Sequence, residues 1–179
     1  MKLVVLDRDG VINFDSVHFI KSTNEWIPIP GSLEAIALLN QSGYRVAIAT
    51  NQSGISRGLF DMVTLNAIHD KMHRALGQLG GRIDAMFYCP HSAEDNCSCR
   101  KPKPGMMEEI GRRFSQDMKG VPMVGDALRD LQAGAVLGMQ PMLVRTGKGE
   151  ETLAAGGLPE GTLIFADLAE AVQHIITKS

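Results

Sequence analysis

Two carboxylates, Asp7 and Asp9, stand where the first apolar run of the chain, Lys2–Leu6, gives way to Gly10. Residues two apart on an extended chain share a face, but a twist just past the strand is needed to aim both at one point, and Gly10 permits such a turn. A second pair, Asp126 and Asp130, follows the short run Pro122–Val124, and its spacing puts both on one face if a helix starts there. Four carboxylates gathered together repel one another unless a cation lies between them. A hard ion with oxygen ligands suits the set, and magnesium, which takes few carboxylates and keeps several waters, suits it best. An ion so held attracts phosphate, whose remaining charge needs donors, and Thr50, Asn51 and Lys101 are residues able to provide them.

All three cysteines of the chain lie between positions 89 and 99. With one histidine they read Cys89-Pro90-His91, then five residues, then Cys97-Ser98-Cys99. An odd number of cysteines in so short a segment argues against a disulfide framework and for a metal site. Three thiolates and an imidazole complete a tetrahedral zinc site with no position left for water, which makes the ion structural. The loop runs directly into Arg100-Lys101-Pro102, so zinc there would hold two cations against the phosphate. His69 and His73, four residues apart on a helical pattern over Asp61–Leu79, are expected on a solvated face.

Short apolar runs alternate with helical periodicities along the whole chain. Runs at Lys2–Leu6, Arg45–Ala49, Ala85–Cys89, Pro122–Val124, Met142–Val144 and Ile164–Ala166 read as strands. Between them, Ser32 is expected to cap a helix that Gly43 stops, and Leu65, Ile68, Met72, Leu76 and Leu79 recur at helical spacing. Met106–Phe114, Leu131–Leu137 and Leu168–Ile176 also read as helices. Such alternation predicts an α/β, Rossmann-like three-layer sandwich with a mainly parallel sheet covered on both faces. In such sheets ligands bind beyond the carboxyl ends of the strands. Asp7 and Asp9, then Thr50, Asn51 and Gln52, then Cys89 and His91, then Asp126, each follow a strand, so the pattern alone brings the chemistry to one edge.

The 179 residues suit a single domain spanning 1–179. A hydrophobic share of 44% provides a core, and a net charge of −2 with no basic block argues against a nucleic-acid partner. No stretch approaches the ~20 apolar residues of a membrane span, and Asp7 interrupts the N-terminal run too early for a signal peptide. A cytoplasmic monomer acting on a small molecule is the expectation.

The order Asp7-x-Asp9-Gly10-Val11, Thr50-Asn51, Lys101 and Gly125-Asp126-x-x-x-Asp130 resembles the four motifs of the haloacid dehalogenase (HAD) superfamily over most of the chain. The resemblance implies that Asp7 attacks phosphorus to form an aspartyl phosphate. Asp9 protonates the leaving oxygen and later activates water, which implies a pKa above that of an ordinary aspartate. It further implies magnesium on the Asp7 carboxylate, the Asp9 carbonyl and Asp126, with Thr50 and Lys101 stabilising the phosphoryl group and Asp130 orienting Lys101 or a metal-bound water. Large cap domains in this superfamily are insertions after the first or second motif; here a loop and one helix separate the first two strands, so no large cap is expected. The zinc loop, the segment Thr50-Asn51-Gln52-Ser53-Gly54-Ile55-Ser56-Arg57-Gly58 and Arg100-Lys101-Pro102-Lys103-Pro104-Gly105-Met106 resemble the D-glycero-D-manno-heptose 1,7-bisphosphate 7-phosphatases. That likeness implies a sugar bisphosphate substrate, recognised by Arg100, with Arg57 as a second candidate for the distal phosphate, and by Ser53 and the loop Asp15-Ser16-Val17-His18. The five residues between His91 and Cys97 also resemble the histidinol-phosphate phosphatases, which makes histidinol phosphate the alternative substrate. Ala127 departs from members that carry lysine beside the metal aspartate. A non-catalytic zinc-stabilised module and a nucleic-acid 3′-phosphatase are the other readings.

Overall fold

A computed structural model describes residues 1–179. Six strands, β1 (Lys2–Leu6), β2 (Tyr44–Asn51), β3 (Ala85–Cys89), β4 (Pro122–Gly125), β5 (Gln140–Val144) and β6 (Leu163–Phe165), form one sheet in the order β3-β2-β1-β4-β5-β6. Every pairing is parallel. Five helices cross between them, α1 (Ser32–Gln41), α2 (Met62–Gly77), α3 (Gly105–Phe114), α4 (Leu128–Ala135) and α5 (Gly149–Ala155), and a sixth, α6 (Leu168–Lys178), follows β6.

Strand alternation divides the core into two layers. Val4, Leu6, Val46 and Ile48 point to one face, where they pack with Leu33, Ile36 and Leu39 of α1, Ile68 and Met72 of α2, and Val172 and Ile175 of α6. Leu3, Val5, Ala47 and Ala49 point to the other, against Met106, Met107 and Ile110 of α3 and Ala133 of α4. The expected three-layer sandwich is therefore present, and between β1 and β2 lie only loops, a 3₁₀ turn at Thr23–Glu25 and α1, with no large cap. No helix is long and apolar enough to cross a membrane.

Two local expectations are corrected. Ser32 is the first helical residue of α1 and not its cap; the cap position is Gly31, at φ 88°, while the Ser32 hydroxyl donates to the Val11 carbonyl at 2.8 Å. That bond ties the start of α1 to the turn after β1. The helix α5 goes beyond the expected elements: its seven residues, Gly149–Ala155, include one large apolar side chain, Leu153, and bury only Gly149, so no apolar period marks it.

The sheet order reverses direction of growth between β1 and β4. A crevice opens outside the carboxyl ends of strands at such a point. Register sets Leu6 beside Val124 and Ile48, so the residues that follow β1, β2 and β4 emerge side by side.

Candidate active site

Asp7 sits in that crevice, 5% exposed, its backbone N–H donating to Val124 O at 3.0 Å. After it the chain turns back on itself: the Arg8 carbonyl accepts from the Ile12 N–H at 2.8 Å, and Gly10 adopts φ +86°. This turn allows Asp7 and Asp9 to line one cleft. A Cβ on Gly10 would run into the Asp126 carboxylate, so the glycine is needed both for its backbone angle and for the close approach of the β4 edge.

The Asp9 carboxylate is held asymmetrically. Its Oδ1 accepts from Arg8 Nε at 2.9 Å and Asn13 Nδ2 at 3.0 Å, and lies 2.8 Å from a second Arg8 nitrogen. Its Oδ2 accepts only from Gln52 Nε2, at 3.1 Å. Burial alone would raise the Asp9 pKa, but the Arg8 charge and the bonds from Arg8, Asn13 and Gln52 together hold it below the ordinary aspartate range. The expected upward shift is thus corrected: a buried guanidinium next in sequence stabilises the anion.

From β2, Thr50 is fully buried and its hydroxyl accepts from Gln52 Nε2 at 2.9 Å. Asn51 faces the next strand end, where its amide donates to Lys101 O at 3.2 Å and accepts from Lys101 N at 3.1 Å. This two-point bond fixes the Lys101 backbone. The Lys101 ammonium, 1% exposed, donates to Ala49 O at 2.7 Å and Asp7 Oδ1 at 3.0 Å, and pairs with Asp130 Oδ1 at 2.7 Å. Desolvation disfavours its charge, but Asp130 and Asp7 outweigh that, so the pKa is raised and Lys101 stays cationic. Of the two roles open to Asp130, the geometry places it on Lys101; its second oxygen accepts from the Ala127 N–H at 3.1 Å and closes the first turn of α4.

Asp7, Asp126 and Asp130 offer oxygens within 4.8 Å of one another. Burial, then Asp130, raise the Asp7 pKa to about 6 against the pull of Lys101. Burial, then the charge of Asp7, raise Asp126 to about 8. No lysine or arginine pairs with Asp126; its Oδ2 accepts the Lys148 backbone N–H at 2.9 Å. A buried carboxylate facing a second one without a counter-charge is costly, and an oxygen-ligated divalent cation removes that cost.

The cleft above has a volume of about 210 Å³. Asp7, Asp9, Asp15, Ser16, Thr50, Asn51, Gln52, Ser53, Arg57, Arg100 and Lys101, all candidates from the sequence, line it. His18 does not; Val17 and Phe19 line the wall on either side of it, and the His18 backbone N–H donates to Ser16 Oγ at 3.1 Å. Arg129 and Lys148 also line the cleft and were not expected. Arg129 comes one residue before Asp130 at the start of α4, and Lys148 lies within 3.8 Å of Asp15 across the rim. The cleft therefore presents five cations, Arg57, Arg100, Lys101, Arg129 and Lys148, against the carboxylates Asp7, Asp9 and Asp15. That balance favours a ligand with more than one negative charge.

Beside the cleft, Cys89, His91, Cys97 and Cys99 bring their ligand atoms within 4.8 Å of one another. His91 Nδ1 is 3.5 Å from Cys89 Sγ and 3.3 Å from Cys99 Sγ, and Cys97 Sγ is 3.5 Å and 3.6 Å from the other two sulfurs. The Cys89 and Cys99 sulfurs are in direct contact. A disulfide between them would use two of the four groups and leave Cys97 and His91 without a partner; one tetrahedral ion uses all four. From this loop the Arg100 guanidinium donates to His91 O at 3.1 Å, which links the cluster to the cleft.

His69, expected on a solvated face, is buried, with Nε2 3.0 Å from an Arg8 guanidinium nitrogen. A helical spacing of histidines carries no information about which face is covered, and α2 turns this one toward the back of the turn after β1.

Comparison with known proteins agrees with this arrangement. Residues 98–171 match a family described as HAD-hydrolase-like. The D-glycero-beta-D-manno-heptose-1,7-bisphosphate 7-phosphatase of Bordetella bronchiseptica is 60% identical over 179 residues, the whole of both chains. The enzyme of the same name from Pseudomonas aeruginosa is 51% identical over 174 residues, 97% of each chain. The crystal structure of the B. bronchiseptica D,D-heptose 1,7-bisphosphate phosphatase complexed with magnesium and phosphate superposes with a TM-score of 0.99 over all of both chains, and the Burkholderia thailandensis structure, 56% identical, with 0.80 over 99% of each. The chain belongs to the D-glycero-beta-D-manno-heptose-1,7-bisphosphate 7-phosphatase family of HAD-like hydrolases.

Proposed function

We propose that the chain is a magnesium-dependent phosphatase that removes the 7-phosphate of D-glycero-β-D-manno-heptose 1,7-bisphosphate. The product, the heptose 1-phosphate, serves lipopolysaccharide or surface-glycan precursor synthesis. The observation that carries this is Asp7, buried at the floor of a cleft rich in cations, in a chain that matches enzymes of this name over its full length. The β anomer follows the substrate of those relatives, the D-glycero-beta-D-manno-heptose-1,7-bisphosphate 7-phosphatases.

Asp7 is the nucleophile. Its Oδ1 is tied to Lys101, which leaves Oδ2 to attack phosphorus in line with the departing sugar oxygen. Thr50 and Lys101 face the charge that develops on the phosphoryl oxygens. Asp9 is the acid and then the base, acting through Oδ2, the oxygen that Arg8 and Asn13 leave free. Because Arg8 lowers the Asp9 pKa in the free enzyme, Asp9 takes up its proton from solvent when the anionic phosphate binds beside it and raises that pKa. The Asp7 and Asp126 carboxylates and the Asp9 carbonyl would hold magnesium, which supplies charge neutralisation of the phosphoryl group when bound. Arg100 and Arg57, at the outer part of the cleft, bind the distal phosphate or sugar hydroxyls. Ser53 and the Asp15–Ser16 loop complete the pocket. The Cys89–His91–Cys97–Cys99 cluster would hold a structural zinc that keeps Arg100 and Lys101 in place.

Phosphate release from the α and β heptose bisphosphates, histidinol phosphate and simple sugar phosphates, with and without magnesium, tests the proposal. Fastest release is expected from the β-heptose bisphosphate with magnesium, and a loss of at least about 10³-fold in Asp7→Asn. Preference for histidinol phosphate would overturn the substrate, and an active Asp7→Asn would overturn the mechanism.

A further inference from the structure

Arg8 does not line the cleft and reaches the chemistry only through Asp9, yet its side chain is among the largest fully buried ones in the molecule. A buried guanidinium is costly unless its donors are placed with care, so its surroundings need a reason. On one side it meets Asp9 Oδ1 with two nitrogens, at 2.9 and 2.8 Å. On the other it lies 3.0 Å from Nε2 of His69. His69 comes from α2, 61 residues further along the chain, and is 8% exposed.

We propose that His69 is a positioning residue for the acid–base group: its Nε2 accepts from the Arg8 guanidinium and so aims Arg8 at Asp9 Oδ1. A guanidinium is a planar fork with donors in fixed directions, so constraining one end sets the direction of the others. With Oδ1 held by Arg8 and Asn13, the Asp9 carboxylate cannot rotate, and Oδ2 stays toward the cleft. The inference rests on the reading of Asp9 as the acid and base.

Arginine always donates, so the His69 nitrogen facing it must be an acceptor, with the ring proton on Nδ1. Burial, then the Arg8 charge, push the His69 pKa down to about 3, which keeps the ring neutral and the acceptor available. The sequence neighbour His73, one turn further along the helix, is exposed and makes no such contact. The contact also couples two layers of the fold, because α2 packs over the sheet while Arg8 belongs to the turn at its edge.

The test compares His69→Leu, which removes the acceptor, with His69→Gln, whose side-chain oxygen reaches a similar position. In His69→Leu, kcat is expected to fall about ten- to a hundredfold with KM changed less than about threefold, since only the orientation of the acid–base group is lost. His69→Gln is expected to recover most of that loss. The same two variants are then made in Asp9→Asn, where His69→Leu should cost nothing more. An equal loss in both backgrounds, or no loss in either, overturns the proposal. Full activity of Asp9→Asn itself would overturn the acid–base reading, a result separate from any effect of His69. Nitrogen NMR of the wild-type protein reads the contact without a variant: His69 should remain Nδ1-protonated and untitrated between about pH 5.5 and 9. A proton on Nε2 overturns the proposal even if the leucine variant does not fold.

Discussion

The Lys101 ammonium is spent inward: it donates to Asp7 and the Ala49 carbonyl and pairs with Asp130. Arg100, its neighbour in sequence, points to the cleft instead, with one bond to His91 O. Two adjacent cations thus face different tasks, and exchanging them would serve neither. Arg57 joins Arg100 in the outer cleft; it stacks on Phe19, its guanidinium carbon 5.7 Å from the ring centre. If Arg100 and Arg57 bind the distal phosphate, Arg100→Ala and Arg57→Ala each raise KM for the heptose bisphosphate about ten- to a hundredfold, the worth of one charge-assisted bond of ~1.5–3 kcal/mol. For a sugar monophosphate lacking the distal group, KM should barely change. Steady-state kinetics on the two substrates checks this, and an equal rise for both would place these arginines on the transferred phosphate.

At the level of elements, the site depends on two connections. One is the turn after β1, where Gly10 comes against Asp126 and its carbonyl accepts from Thr146 Oγ1 at 2.7 Å. The other is the loop between β3 and α3, which has little apolar content of its own. Cys89 is fully buried, while Cys97 and Cys99 pack only at the margin of the second core layer. Cys97→Ser is therefore expected to lower the melting temperature by several degrees and activity about tenfold or more, because Arg100 and Lys101 leave the same loop. Metal analysis of the purified protein should give one zinc per chain, lost in the variant. Wild-type activity in a zinc-free variant would remove the loop from the account of the site.

For the whole molecule, the carboxylate cluster makes stability depend on pH and magnesium together. Asp126 titrates near 8 and Asp7 near 6 in the metal-free fold, against about 3.9 in an unfolded chain. Between those values the folded protein holds protons that the unfolded chain has released, so stability falls as pH rises. The loss continues until pH passes the folded pKa of Asp126, at up to about 1.4 kcal/mol per pH unit for one proton. Magnesium occupies the place of those protons. Its stabilisation, read from melting curves, should be larger at pH 8.5 than at pH 6.5, with proton release on binding. A magnesium-induced shift that is independent of pH would contradict the assignment of the ion to Asp7 and Asp126.

The sequence by itself determined the strands, their parallel arrangement and the edge at which the chemistry gathers. Apolar period and strand-end position are local properties, and Asp7, Thr50, Lys101 and Asp126 could be read from them. It also marked out Cys89, His91, Cys97 and Cys99 as one group able to hold an ion, because their spacing within one loop leaves little freedom. Only the tertiary structure decided which oxygen of Asp9 is held by Arg8 and Asn13, that Asp130 is paired with Lys101, and that Arg129 and Lys148 reach the cleft while His18 does not. Each of these depends on side-chain directions set by elements distant in sequence. The Asp9 pKa is the clearest case: its sign is set by the balance of burial against Arg8, Asn13 and Gln52, a sum of opposing effects over a few ångströms. His69 follows the same rule, since its face of α2 is covered by a turn formed 61 residues earlier.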